Sequence, residues 1–77
     1  MNEELRDSII NAYKEYLDEE LLEDSSENIE RYVTVLYYDL LDDIDLNKEL
    51  FGIDQSISDC DAVKMIENII EMVLKGR

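Results

Sequence analysis

Apolar residues recur at steps of three and four along most of the chain, the spacing of one face of an α-helix. In the first third, this stripe consists of Leu5, Ile9, Ala12, Tyr13, Tyr16 and Leu17. Asn2 can cap such a helix, and Glu3 and Glu4 fall in its first turn, where the helix dipole favours acidic groups. The pattern therefore predicts a first helix from Glu3 to about Leu22.

A second stripe predicts a helix from about Glu27 to Asp42. Its apolar positions are Ile29, Val33, Leu36, Tyr37, Leu40, Leu41 and Ile44. Asp24 stands three residues before Glu27, which is the spacing of a capping box, so we expect Asp24 to start this helix. Residues 32–38 favour β-structure by residue type, but they lack the alternation of a half-buried strand, so the helix is preferred.

The last third of the chain predicts a short helix followed by a long apolar one. The short helix covers residues 46–51, with Asp45 as its cap and Gly52 at a left-handed exit. The long helix starts after Ser58. We therefore expect an all-α fold, a small three-helix bundle with an additional short connecting helix, forming one acidic helical domain over residues 1–77.

The long last helix carries more apolar surface than a single stripe. Its apolar residues cover roughly 200° of a helical wheel, whereas a surface helix usually shows about 100°. Two explanations remain open. The helix is central and flanked on both sides, or it forms a dimer interface with a second copy through Met65, Ile69 and Met72.

Composition adds a strong and uneven negative charge. The 77 residues contain 21 Asp and Glu, 7 Lys and Arg and no His, giving a net charge of −14. Direct binding to nucleic acid needs a basic face, and an anionic membrane would repel this chain, so both are disfavoured. A basic protein is the favoured partner. The net charge is −7 over residues 1–24, −5 over residues 25–52 and −2 over residues 53–77.

Two dense groups of carboxylates are the candidate partner-binding residues. The first acidic cluster contains Asp18, Glu19, Glu20, Glu23, Asp24 and Glu27. The second acidic cluster contains Asp39, Asp42, Asp43 and Asp45, together with Tyr38, an aromatic residue off the core face of its helix. In one straight helix over residues 3–24, carboxylates would lie about 3.7 Å apart, close to the ~3.4 Å spacing of phosphates along a DNA strand. Because arginine binds carboxylates and phosphates alike, this density indicates mimicry of a nucleic-acid backbone.

Catalytic and metal chemistry have little support in the sequence. There is no His, and Cys60 is the single cysteine, so neither a histidine nor a second cysteine is present to activate it. Residues 43–54 carry acidic and amide side chains at three positions of a calcium-binding loop, but Lys48 stands where that loop requires glycine. We therefore expect no enzyme activity, no cofactor and no bound metal.

The sequence is typical of a cytoplasmic protein. No apolar run approaches the ~20 residues of a membrane span, and acidic residues follow Met1 where a signal peptide would be positively charged. A lone cysteine fits a reducing compartment. We therefore expect a cytoplasmic location and no membrane partner.

In its small size, acidity and expected helical content, the sequence resembles phage-encoded anti-defence proteins, including anti-CRISPR and DNA-mimic inhibitors, and the immunity proteins of nuclease toxins. That resemblance implies an inhibitor that occupies the nucleic-acid-binding groove of a basic nuclease or effector. The alternative hypothesis is a structural or regulatory helical module that forms a homodimer through its last helix. In that case the carboxylates are only a solvated surface.

Overall fold

Residues 2–77 fold into five α-helices. The structure is a computed structural model that describes residues 2–77, and Met1, the first residue of the expected domain, lies outside the described residues. The helices are α1 (Glu3–Glu20), α2 (Ser26–Val35), α3 (Tyr37–Asp42), α4 (Ile44–Leu50) and α5 (Asp59–Lys75). Residues 2–77 contain no strand, and none of their helices combines the length and the apolar character that crossing a membrane requires. The prediction of a small all-α helical bundle is confirmed.

Helix α5 lies at the centre of the bundle, since each of the other four helices packs against it. Its buried residues are Ala62, Val63, Ile66, Ile70 and Leu74. Ser58 caps its start, as its hydroxyl accepts a hydrogen bond from the backbone N–H of Asp61 at 3.3 Å. This central position accounts for the buried part of the wide apolar sector in the sequence of α5.

The outer helices and the loop before α5 complete the core. Their buried apolar residues are Ile9, Tyr13, Leu17, Ile29, Tyr32, Val33, Leu40, Ile44 and Ile53. The ring of Tyr32 lies 5.4 Å from that of Tyr13 and 5.0 Å from that of Tyr16, in tilted contacts that join α1 to α2. Ala12, which belongs to the predicted stripe of α1, is exposed.

The predicted second helix is two helices, α2 and α3, because the hydrogen-bond ladder changes at Leu36. The N–H of Leu36 is shared between the carbonyls of Tyr32 at 3.2 Å and Val33 at 3.3 Å. Two residues earlier, the hydroxyl of Thr34 donates to the carbonyl of Glu30 at 2.9 Å. Such a bond to the preceding turn bends helices. The prediction of one continuous helix was therefore wrong at this point.

Two predicted helix caps also differ from the structure. Helix α2 is capped by Ser25, whose hydroxyl accepts a hydrogen bond from the backbone N–H three residues on at 3.1 Å, and not by Asp24. Helix α4 begins after Asp43 without a side-chain cap, so Asp45 lies inside its first turn. Gly52 adopts the predicted left-handed conformation, with φ of 69°. Serine is the shorter side chain, and its use as the cap leaves Asp24 free for other contacts.

Candidate functional site

The last turn of α1 concentrates negative charge in an unfavourable place. It holds Asp18, Glu19 and Glu20 and no basic residue, and all three side chains are exposed. The carboxyl-terminal end of a helix carries a partial negative charge, which disfavours each nearby carboxylate by about 0.3–1 kcal/mol. Glu3 and Glu4, at the opposite end of the same helix, are favourably placed. The carboxylates at the end of α1 therefore lower the stability of the fold.

The chain turns sharply at Leu21, directly after these carboxylates. Leu21 has a left-handed backbone, with φ of 55° and ψ of 45°, and is the one non-glycine residue among residues 2–77 with positive φ. Its N–H bonds the carbonyl of Asp18 at 3.4 Å, and the N–H of Leu22 bonds the carbonyl of Leu17 at 2.9 Å. This is the Schellman arrangement, in which glycine is usual at the left-handed position.

The side chain of Leu21 is 91% exposed, so burial in the core does not offset the energetic cost of its left-handed backbone. Sequence reasoning missed this residue, although a signal was present, because α1 ends without a glycine to supply the turn. An exposed leucine beside several carboxylates is a candidate binding residue, since strained backbone tends to persist at functional sites.

The structure brings five of the six residues of the first acidic cluster to one exposed corner. Glu23 lies in the connection after Leu21, and Glu27 lies in the first turn of α2. The side-chain amide of Asn28 donates to the carbonyl of Glu23 at 2.6 Å and holds the connection against α2. We call Asp18, Glu19, Glu20, Leu21, Glu23 and Glu27 the α1–α2 corner. Within residues 2–77, none of its five carboxylates forms an ion pair.

Asp24, the sixth residue of that cluster, is also exposed, but its carboxylate already has partners within the chain. Its carboxylate accepts hydrogen bonds from the guanidinium of Arg77 at 2.6 and 2.7 Å and from the hydroxyl of Tyr13 at 2.9 Å. The guanidinium also lies over the ring of Tyr13, 5.1 Å from its centre. The hydrogen bonds from Arg77 hold the pKa of Asp24 below its usual value, while burial and the bond to Asp24 raise the pKa of Tyr13. Asp24 therefore ties α1 to the end of the chain and is less available to a partner.

The carboxylates do not form the straight row that the comparison with DNA assumed. Helix α1 ends at Glu20, so it is about 27 Å long at ~1.5 Å per residue, and residues 21–24 turn away from its axis. Its acidic residues lie towards its two ends, with none between residues 8 and 14. The spacing argument therefore fails as geometry. What remains is a high local density of carboxylates at the α1–α2 corner.

The second acidic cluster lies on α3 and at the start of α4. All of its carboxylates are exposed, and they belong to Asp39, Asp42, Asp43 and Asp45. Tyr38 is 76% exposed, and its ring meets that of Tyr37 edge-on, with 5.3 Å between the ring centres. An accessible aromatic ring beside carboxylates is a common element of protein interfaces, because it offers apolar area and a hydroxyl that stays solvated.

A buried lysine organises the chain next to this cluster. Lys48 is 3% exposed, and its ammonium group donates to the carbonyls of Ile57 at 2.6 Å and Gln55 at 3.3 Å and pairs with Asp59 at 3.1 Å. These three partners satisfy all three of its N–H groups. Sequence reasoning missed this role, although Lys48 follows the buried Ile44 by one helical turn. In the part of the chain that the structure describes, no three acidic or cysteine side chains converge on a possible metal position.

The residues predicted to form a dimer interface lie along one outer side of α5. Met72 is 74% exposed, Met65 is exposed and Ile69 is half-buried. The three residues are spaced four and three apart, so they share one face of the helix. Burial in the core therefore leaves part of the apolar surface of α5 open.

Comparison with known proteins gives no match to this chain, whether with protein-family models, with curated proteins or with solved structures.

Proposed function

We propose that this protein is a small inhibitor that binds a basic, nucleic-acid-handling protein and blocks its nucleic-acid-binding groove. Carboxylates take the places of phosphates in that groove, and no chemical step is involved. The observation that carries the proposal is the α1–α2 corner, where exposed carboxylates that form no ion pair within residues 2–77 lie close along the chain to an exposed leucine. In type, such an inhibitor corresponds to phage anti-defence proteins, anti-CRISPR proteins among them, or to the immunity proteins of nuclease toxins.

The energetics of the corner favour a role in binding over a role in the fold. Glu19 and Glu20 oppose the dipole of α1, and Leu21 combines a strained backbone with an exposed side chain. A chain of this size has a small stability reserve, so each of these features is a measurable burden. Negative charge needed only to keep the protein in solution would serve equally well at positions that favour the helix.

The arrangement of the corner suits a basic groove. Its carboxylates are exposed and lie on a helix end, a tight connection and a helix start, so a short stretch of chain presents them on three successive segments. Arginine binds such carboxylates with two parallel hydrogen bonds, as it binds phosphates. Leu21 supplies an apolar contact within the charged surface, and desolvated central contacts usually carry most of the binding energy. The negative field of the whole chain speeds the encounter with a basic partner.

The second acidic cluster provides a further contact in this proposal. Tyr38 contributes apolar area, and the neighbouring aspartates extend the negative surface along α3 and α4. Asp24 is left out of the proposed contacts, because Arg77 and Tyr13 already occupy its carboxylate. A partner would have to break those bonds before it could bind Asp24.

The test captures binding proteins from host-cell lysate on the immobilised protein. A nuclease or other nucleic-acid-binding protein should be retained at about 0.1 M salt and released at about 1 M, as the screening length falls from about 10 Å to about 3 Å. The variant Glu19→Lys/Glu20→Lys should lose the captured protein. The matched control Asp7→Lys/Glu15→Lys makes the same change of charge on the same helix outside the corner and should retain most of it.

A competition experiment completes the test. The captured protein, once purified, should bind either this protein or its nucleic acid but not both, so added duplex should displace it. If the Glu19→Lys/Glu20→Lys variant binds as well as the control, or if the duplex and this protein bind together, the proposed mechanism is wrong.

A further inference from the structure

An apolar strip crosses α1, α4 and α5 on a part of the surface that the proposed function does not use. Three shallow grooves run along this strip. Leu5 and Leu50 line both the first and the second groove, and Ile69 lines both the second and the third. The apolar strip consists of Leu5, Leu50, Phe51, Ile69, Met72 and Val73.

Much of this strip is open to solvent. Leu50 is 53% exposed and Met72 is 74% exposed, while the other four residues are half-buried between them. Single exposed apolar residues are ordinary on protein surfaces, but a connected apolar surface rimmed by polar groups marks an interface. Phe51 and Ile69 are half-buried, and each lines a groove together with one of the two exposed side chains.

The charge around the strip points to the partner. The charged residues that line its three grooves are Glu4 and Arg6, one acid and one base, on a chain whose net charge is −14. In the neighbouring groove along Met72, Lys75 is already paired with Glu71 at 2.8 Å. A basic protein gains little attraction at this balanced surface. The acidic clusters of the chain repel a second copy. At the apolar strip, a second copy instead meets apolar side chains and charges of both signs.

We propose that the apolar strip is covered by a second copy of this chain in a two-fold symmetric dimer. In such a dimer each copy uses the same patch, so Glu4 of one copy can face Arg6 of the other. A stable interface buries about 800 Å² on each partner, which is about 15% of the 5235 Å² surface of this protein. To reach that area, the dimer must bury the polar residues around the strip as well as the strip itself. We expect such a dimer to dissociate on dilution.

This proposal does not rest on the proposed function, because the strip and the α1–α2 corner share no residue. Salt also separates the two. Screening weakens the attraction between the corner and a basic partner, so that binding should fall as salt rises. Screening relieves the repulsion between two copies of charge −14, while the apolar contact persists, so dimerisation should strengthen as salt rises.

The experiment is analytical ultracentrifugation of the purified chain over a range of concentrations, at about 0.1 M and about 1 M salt. The wild type should dimerise reversibly, more tightly at the higher salt. Met72→Glu and Leu50→Glu should each weaken the dimer at least about tenfold, because they place a charge in an apolar contact. Val35→Glu is the matched control, since Val35 is also 53% exposed but lies off the strip, and it should leave the dimer intact.

Urea unfolding should show that all three variants keep their fold, because each replaced side chain is exposed. A wild type that stays monomeric at every concentration in high salt would overturn the proposal, as would a dimer that weakens when salt is raised. Equal weakening by Val35→Glu and Met72→Glu would place the interface elsewhere and would also overturn it.

Discussion

Replacing Glu19 and Glu20 by glutamine should make the protein more stable, although neither residue touches the core. Both side chains lie in the last turn of α1, where no basic residue offsets the negative end of the helix dipole. Removing each charge should gain about 0.3–1 kcal/mol, so the double variant should gain about 1 kcal/mol. In a domain of this size that raises the unfolding temperature by about 4–8 °C. Glutamine has nearly the shape and helix propensity of glutamate, so charge is the main change.

The control for this prediction is Glu3→Gln/Glu4→Gln at the other end of the same helix. It removes the same number of charges and relieves the general repulsion to a similar degree. It also removes favourable contacts with the positive end of the dipole, so it should lower stability relative to Glu19→Gln/Glu20→Gln by about 1–2 kcal/mol. Urea unfolding at low salt, followed by far-ultraviolet circular dichroism, measures the difference. The difference should shrink at about 1 M salt, where charges are screened beyond about 3 Å.

Two results would refute this reasoning. If both double variants gain the same stability, the relevant effect is the net charge and the position of the carboxylates does not matter. If Glu19→Gln/Glu20→Gln loses stability, the two carboxylates support the fold, and the energetic argument for a binding role at the α1–α2 corner fails. The proposed function further requires that this variant bind its basic partner more weakly while it becomes more stable.

Other substitutions test single features of the structure. Leu21→Gly should raise the free energy of unfolding by about 1 kcal/mol, because glycine adopts the left-handed region without strain, and it should weaken capture of the basic partner. Lys48→Met should lower stability by about 2 kcal/mol and speed amide hydrogen exchange in residues 51–58, whereas Lys64→Met, at an exposed lysine, should do neither. Because Arg77 lowers the pKa of Asp24 in the folded state, the stabilisation is present above the usual aspartate pKa and is lost as pH falls through the lower, folded value. Asp24→Asn should therefore be less stable than wild type by about 1 kcal/mol at neutral pH, and the difference should vanish in acid unfolding titrations well below about pH 4.

The fold could be predicted from the sequence wherever local signals agreed. Helix α5 has a serine cap, a wide apolar sector and no breaker, and its start after Ser58 is correct. Helix α1 is correct within two residues at its end. The interruption at Leu36 could not be predicted from periodicity, because the apolar stripe continues across it. The bend comes from the Thr34 hydroxyl and from packing, and neither alters the spacing of apolar residues.

The candidate site was predicted in part. Runs of carboxylates in the sequence located the end of α1 and the start of α4 correctly as acidic surfaces. The sequence could not show that Asp24 differs from its neighbours, because its partner Arg77 is 53 residues away. Nor could it show that Leu21 is exposed, since the leucine next to it, Leu22, packs against the core. Such contacts between distant residues depend on how the helices pack, and a pattern read along the chain carries no information about them.

The ion pairs of the structure separate its carboxylates into two groups with different roles. Each ion pair within residues 2–77 lies at one end of α5 or just beyond it. Lys48 pairs with Asp59 at its start, Lys75 pairs with two glutamates at its end, and Arg77 follows with Asp24. The carboxylates of the α1–α2 corner and of the second acidic cluster take part in none of these pairs. Reversing their charge should therefore leave the central helix in place, so that lost binding in such variants reports on the surface itself and not on unfolding.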